Sequence, residues 1–130
     1  MDVLASRILI RPSDPERSRR FYRDELGLAV AREFGEGEHR GMVFFAGSGL
    51  LEVSGRGGPE ARAGVALWLQ VRDVHEEVAR LTLLGQRIVR APQTEPWGLV
   101  EAWIEDPDGI PIVLVEIPAD HPLRRDSRTL

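Results

Sequence analysis

The side chains able to do chemistry are few and scattered along the chain. Three histidines stand at positions 39, 75 and 121, and there is no cysteine. Without thiols there can be no disulfide framework, no thiolate zinc site and no cysteine nucleophile, a usage compatible with a reducing cytoplasm. His39 falls in a turn between strand-like runs, His75 in the first turn of a helical run, and His121 in the C-terminal tail. Ser48, Ser54 and the other hydroxyls sit in no recognisable nucleophile elbow. The glycine-rich GRGGPEARAG at 55–64 has neither the sequence nor the strand-to-helix placement of a phosphate loop. What remains are three tryptophans. Trp97 precedes Gly98 in a loop, TEPWG, where it could act as a lid or pack on a neighbouring module. Trp103 lies on a strand, where core packing is favoured, between Glu101 and Glu105, which read as surface or rim carboxylates.

Those residues need a scaffold, and composition bounds it. The chain has 130 residues, a net charge of -4, 42% hydrophobic and 29% charged residues. One compact globular domain is expected, because a chain of this mass exposes roughly 6,900 Å² folded against about 21,000 Å² unfolded and so buries a real core. No apolar stretch approaches the roughly 18 residues of a membrane span, and MDVLASRILIRP lacks the basic region that opens a secretory leader. The expectation is a soluble, cytoplasmic protein with no membrane partner. Arginines are interleaved with carboxylates, as in Arg17–Arg23 beside Glu16, Asp24 and Glu25. That pattern is a solvated helix face and argues against nucleic acid, which needs a clustered basic surface.

Two segments share one grammar: RILIRPSDPERSRRFYRDELGL at 7–28 and VALWLQVRDVHEEVARLTLLG at 65–85. Each is an apolar strand, an Asp, a helical pattern and a Gly. Asp14 is the expected N-cap of the first helix with Pro15 at its first position, Phe21, Tyr22 and Leu26 on its buried face, and Gly27 at its end. Asp73 and Glu76 form a D-x-x-E capping box before Val74, Val78 and Leu81, with Gly85 as terminator. Both helices are expected to run about three amphipathic turns. Three strand-like runs follow each helix: 28–34, 41–47 and 49–55, then 86–91, 99–105 and 110–116, the last two joined by a DPDG turn at 106–109. The reading is an α+β protein of two tandem βαβββ modules, 1–56 and 65–117, with a linker at 57–64 and a polar, loosely held tail at 118–130, making one structural domain overall. A period repeated only twice is a duplication inside one domain, not a solenoid.

This layout resembles the vicinal oxygen chelate superfamily, which includes glyoxalase I, bleomycin-resistance proteins and extradiol dioxygenases. The resemblance is carried by SDPERSRRFYRDELGL at 13–28, DVHEEVARLTLLG at 73–85 and PWGLVEAWIEDPDGIPI at 96–112, and spans roughly residues 3–117. It implies that each module curls its sheet into a half-barrel and that paired modules enclose a pocket. It also implies metal-ligand positions on four strands, which here are Arg7, Glu52, Ala66 and Val113. Arginine has no lone pair to donate, and alanine and valine have no donor atom. One carboxylate is no ligand set for a divalent transition metal, so no metal and no cofactor are expected.

Positions that share strand parity with the ligand sites assigned by the resemblance should then face the pocket: Arg7 and Leu9 on the first strand, Ala66, Trp68 and Gln70 on the fifth, Val113 and Val115 on the last. The opposite parity, Ile8, Ile10, Val65, Leu67, Leu69, Val71, Ile112 and Leu114, is uniformly apolar, as a helix-covered face should be. Arg7, Leu9, Glu52, Trp68, Gln70, Trp97, Trp103 and Val113 are thus the expected ligand-binding residues, an apolar set with a few polar groups. No residue is singled out as catalytic. The resemblance implies that the four ligand positions converge on one small volume, so Arg7 and Glu52 should pair, since a guanidinium left alone among apolar walls is costly. Trp68 could line a site or simply fill the barrel. The leading function is a metal-free homodimer sequestering a small molecule, an antibiotic or metabolite, in the manner of the bleomycin-resistance branch. Trp faces suit a cationic ligand and Arg7 an acidic one. The alternatives are a metal-dependent lyase, isomerase or dioxygenase of the same superfamily, and a structural dimer with a vestigial pocket.

Overall fold

A computed structural model of the chain describes residues 2–5, 7–57 and 64–122. The element order is β1 (Ile8–Ile10), α1 (Pro15–Arg20), β2 (Val30–Phe34), β3 (Gly41–Ala46), β4 (Gly49–Ser54), β5 (Leu67–Gln70), α2 (Val74–Leu83), β6 (Arg90–Thr94), β7 (Val100–Glu105) and β8 (Pro111–Glu116). The fold is α+β and duplicated. One four-stranded sheet has the order β1-β4-β3-β2 and the other β5-β8-β7-β6, so each module pairs its first strand in parallel with its last. The chain divides into two compact units, residues 1–65 with 106–110, and 66–105 with 111–130. Most of the linker expected at 57–64 and of the tail expected at 118–130 lies outside the described residues.

In the first unit the Asp14 carboxylate accepts the backbone N–H of Arg17 at 3.2 Å, and Pro15 opens α1, as the cap rule requires. The expected single helix is instead α-helical only to Arg20, and Phe21–Glu25 continues it as a π-helix. The Leu26 N–H reaching back to the Phe21 carbonyl at 2.8 Å defines that wider turn. It delivers two adjacent aromatics to the core. Phe21 and Tyr22 are both buried, their rings perpendicular at 5.0 Å, and Tyr22 lies 6.1 Å from Phe44 of β3. Leu26, expected on the buried face, is only half-buried. Ile10, Met42, Leu51 and Val53 complete this core, each side chain worth about 1.5–3 kcal/mol when fully withdrawn from water.

Tyr22 also has a polar tether. Its hydroxyl donates to the Asp106 carboxylate at 2.8 Å, while the other carboxylate oxygen accepts the N–H groups of Asp108 and Ile110 at 2.8 and 2.9 Å. Burial raises the Asp106 pKa, opposed by those three donors, and burial together with the Asp106 charge pushes the Tyr22 hydroxyl upward. The DPDG sequence is therefore a turn, as expected, and also an anchor. Asp108 takes the Ser13 amide and hydroxyl.

In the second unit Asp73 accepts the Glu76 N–H at 3.0 Å, and the Glu116 carboxylate satisfies the Val74 N–H at 3.0 Å. Gly85, at φ +86°, closes α2 in a Schellman arrangement, with Gly85 N–H on the Thr82 carbonyl and Gln86 N–H on the Leu81 carbonyl. Val74 and Leu81 are buried and Val78 half-buried on a helix that packs against β6, β7 and β8.

The sixth strand departs from expectation. Residues 86–91 were expected to form it, but β6 is Arg90–Thr94, with a register shift between Arg90 and Gln93. Pro92 looks like a strand breaker in the sequence, yet β6 is the sheet edge, where a missing N–H costs no ladder bond. The apolar parity is also less uniformly covered than expected. Ile10, Leu67, Ile112 and Leu114 are buried, but Ile8 is 52% and Val65 40% exposed. Both lie at the entrance to edge strands.

Candidate functional site

The ladder registers place the expected residues face by face. In the first sheet Leu9 pairs with Glu52, Glu52 with Val43, and Val43 with Arg32, so these four side chains form one row across β1, β4, β3 and β2. Arg7, one residue before β1, reaches the same face. Its Nη1 donates to a Glu52 carboxylate oxygen at 2.9 Å, which is the pairing expected from the sequence. The pair is not deeply buried, with side-chain exposures of 37% for Arg7 and 12% for Glu52.

Two neighbours complete this cluster, and sequence reasoning missed both. The Ser54 hydroxyl donates to the second Glu52 oxygen at 2.6 Å, and Arg11 Nη1 donates to the Ser54 hydroxyl at 2.6 Å. The signal was present: Arg11 shares parity with Arg7 and Leu9, and Ser54 with Glu52. The Ser54 hydroxyl and then the Arg7 guanidinium hold the Glu52 carboxyl below its usual range, against the opposing pull of desolvation. Glu52 therefore stays ionised through the neutral range.

A metal was the other possible occupant of this place, and the donors present do not fit one. Of the positions to which the resemblance assigns ligands, Glu52 alone has a donor, and both of its oxygens are engaged. Among the described residues no three His, Cys, Asp or Glu side chains gather closely enough to hold a metal ion.

In the second sheet Trp68 pairs with Val113, Val113 with Trp103, and Trp103 with Arg90, forming the equivalent row. Gln70, Val115, Glu101 and Gln93 form the next. Trp103, whose direction the sequence leaves open, thus shares the face of Trp68 and packs on a cluster of Leu99, Val113, Val115 and Ile117. Trp68 is 52% exposed, so it fills no core in this unit.

Trp97 and Glu101 differ from expectation. Glu101 is buried rather than a surface carboxylate, and the Trp97 indole N–H donates to it at 2.8 Å, which offsets part of the cost of that burial. Trp97, 57% exposed, is tied down on its other side by His121, whose Nε2 lies 2.9 Å from the Trp97 carbonyl oxygen. Beside them Arg90 pairs with the buried Glu95, and the Arg90 Nε is buried without a hydrogen-bond partner among the described residues. Nothing in the sequence pointed to that pair, since the residues lie five apart across an irregular strand end. Glu105 pairs with Arg87 at 3.0 Å.

Comparison with known proteins bears on this geometry. A profile described as the Glyoxalase/Bleomycin resistance protein/Dioxygenase superfamily matches residues 5–114. No curated protein matches the sequence. Among solved structures, TnmS3, an antibiotic binding protein from Streptomyces sp. CB03234, is 22% identical with a TM-score of 0.76, covering 90% of this chain and 98% of its own. A superfamily member from Sphaerobacter thermophilus DSM 20745 is 26% identical with a TM-score of 0.69, covering 88% and 98%. A lactoylglutathione lyase from Agrobacterium tumefaciens is 18% identical with a TM-score of 0.67, covering 89% and 94%. An antibiotic binder and an enzyme thus share this architecture, and the choice between such roles falls to the side chains.

Proposed function

The chain belongs to the Glyoxalase/Bleomycin resistance protein/Dioxygenase superfamily, and from that premise we propose that it binds a small molecule, an antibiotic or a metabolite, without a metal. The observation that carries the reading is the Arg7–Glu52 ion pair, formed by two of the positions to which the resemblance assigns metal ligands. A cation already neutralises the single carboxylate there. Ala66 and Val113 supply no donor, which disfavours a metal-dependent lyase, isomerase or dioxygenase. Within each unit a half-exposed apolar side chain shares a face with a polar one, Leu9 with Glu52 in the first and Trp68 with Gln70 in the second, and each face by itself has the mixed character of small-molecule sites. Likeness to an antibiotic binding protein supports the ligand class.

The same proposal extends to a homodimer, a cytoplasmic location and no nucleic-acid partner. Val3 and Leu4, 67% and 95% exposed ahead of edge strand β1, support an apolar contact between copies, which light scattering would read. No helix among the described residues is long and apolar enough to cross a membrane. The module boundaries 1–56 and 65–117 belong to this reading as well.

The test is a thermal-shift screen across antibiotics and small aromatic metabolites on chelator-treated protein. A ligand at a hundred times its Kd stabilises by about 2.7 kcal/mol, a melting shift on the order of 10 °C for a chain of this size. Stabilisation by at least one compound class is the expected result. No shift with any compound, or a shift that requires an added divalent metal, would reject the proposal.

A further inference from the structure

The first sheet's binding face carries an imbalance that the general reading does not use. Arg7, Arg11 and Arg32 all lie on it, Arg7 and Arg11 through their contacts with Glu52 and Ser54 and Arg32 through the ladder. Among the described residues Glu52 is the one carboxylate on the same rows. Three guanidiniums against one carboxylate leave a net charge of about +2 on a face of a chain whose total is -4.

Hydrogen bonding is unbalanced in the same sense. Glu52 spends one oxygen on Arg7 and the other on Ser54. Arg7 spends only Nη1, so its Nε and Nη2 protons have no partner among the described residues. Arg32 makes no ion pair among them and lies 5.4 Å from the centroid of the Phe34 ring, over its face. Guanidinium groups have fixed forked donors suited to a planar oxyanion. The charged groups are set among apolar ones, because Leu9 and Phe45 share the face and are 48% and 54% exposed. An inorganic anion would leave those two side chains in water, whereas an organic acid with an apolar body would cover them.

We propose that this face, Arg7, Arg11 and Arg32 around Leu9 and Phe45, recognises an apolar-bodied carboxylate, which takes the donors Arg7 leaves free while Glu52 is the internal anion that neutralises part of the face's positive charge. The proposal rests on the small-molecule reading and narrows it to an acid. Glu52 then is a competitor of the ligand and not its partner.

Three probes of one shape and different charge test this: 2-naphthoate, 2-naphthalenemethanol and 2-naphthylmethylammonium, titrated calorimetrically at low and high salt. Naphthoate should bind at least tenfold more tightly than either of the others, and its affinity should fall with salt. Glu52→Gln should tighten naphthoate binding severalfold. Arg32→Gln, a change at an exposed side chain that leaves the fold in place by circular dichroism, should weaken it severalfold, and Arg7→Gln should do the same. Equal or tighter binding of the alcohol or the ammonium ion overturns the inference while the small-molecule reading stands. So does weaker naphthoate binding in Glu52→Gln. Absence of naphthoate binding overturns the inference in every case, and takes the wider reading with it only if the antibiotic and metabolite screen is also empty.

Discussion

Breaking the Arg7–Glu52 pair on each side, and on both, measures how much of the first sheet's organisation depends on it. The variants are Arg7→Met, Glu52→Gln and the double change. Fully exposed ion pairs couple by about 0.2–1 kcal/mol, and removing one member of a fully buried pair costs about 3–5 kcal/mol. Here Glu52 is covered by its immediate partners but near the surface, and Arg7 is 37% exposed, so solvent screens the interaction. The expected coupling is about 1–1.5 kcal/mol at pH 7, closer to the exposed limit. Each single variant should cost about 1 kcal/mol. Glu52→Gln keeps an acceptor for Ser54, and Arg7→Met leaves Glu52 its Ser54 donor and the nearby Arg11. Urea unfolding of the four proteins, followed by circular dichroism, gives the cycle directly.

The pH dependence has a definite sign. The folded-state pKa of Glu52 lies below its ordinary 4.5, so its contribution is fully present above that value and is lost as pH falls through the lowered one. The stability advantage of the native chain over Glu52→Gln should therefore shrink below about pH 4.5. A coupling below about 0.3 kcal/mol, or above about 3, would refute the partly screened pair. An advantage that grows on acidification would refute the assignment of the charged form to Glu52.

Trp97→Phe removes the indole N–H from buried Glu101 and should destabilise by about 1.5–3 kcal/mol, the range for losing a hydrogen bond to a charged group; Glu101→Gln in the same background should recover part of it, read by thermal melting. Tyr22→Phe deletes one of three donors to Asp106 and should cost about 1–2 kcal/mol by urea unfolding, with a near-wild-type loss pointing to a water taking its place. Asp73→Ala should cost about 1 kcal/mol through the lost α2 cap, and Asp73→Asn much less.

The duplicated strand-helix grammar was legible because its signals are local. Asp14 with Pro15 and Asp73 with Gly85 each act within one turn of chain, and the alternation in β1 and β8 follows from pleating alone. The Arg7–Glu52 contact came through the family resemblance, since 45 residues separate the two and no periodicity links them. What stayed hidden depended on neighbours supplied by other strands. The π-helical turn coincides with the burial of Phe21 and Tyr22, the latter 6.1 Å from Phe44 of β3. The Pro92 strand exists because β6 is an edge. Glu101 reads as a surface acid, although it is buried and accepts a hydrogen bond from Trp97, and Glu95 is buried with the half-buried Arg90 as its partner across an irregular strand end. Sequence pattern gives a residue's face, while its burial depends on what lies over that face.

Metal content is the most direct test of the central claim, that an ion pair stands where the superfamily's enzymes place metal ligands. Protein purified from cells grown with added zinc, iron, nickel and manganese, without chelators, should carry well under one equivalent of any of them, and chelator treatment should leave its melting temperature and its ligand-induced shift unchanged. One equivalent of a transition metal that survives gel filtration and is lost in Glu52→Gln would contradict the account.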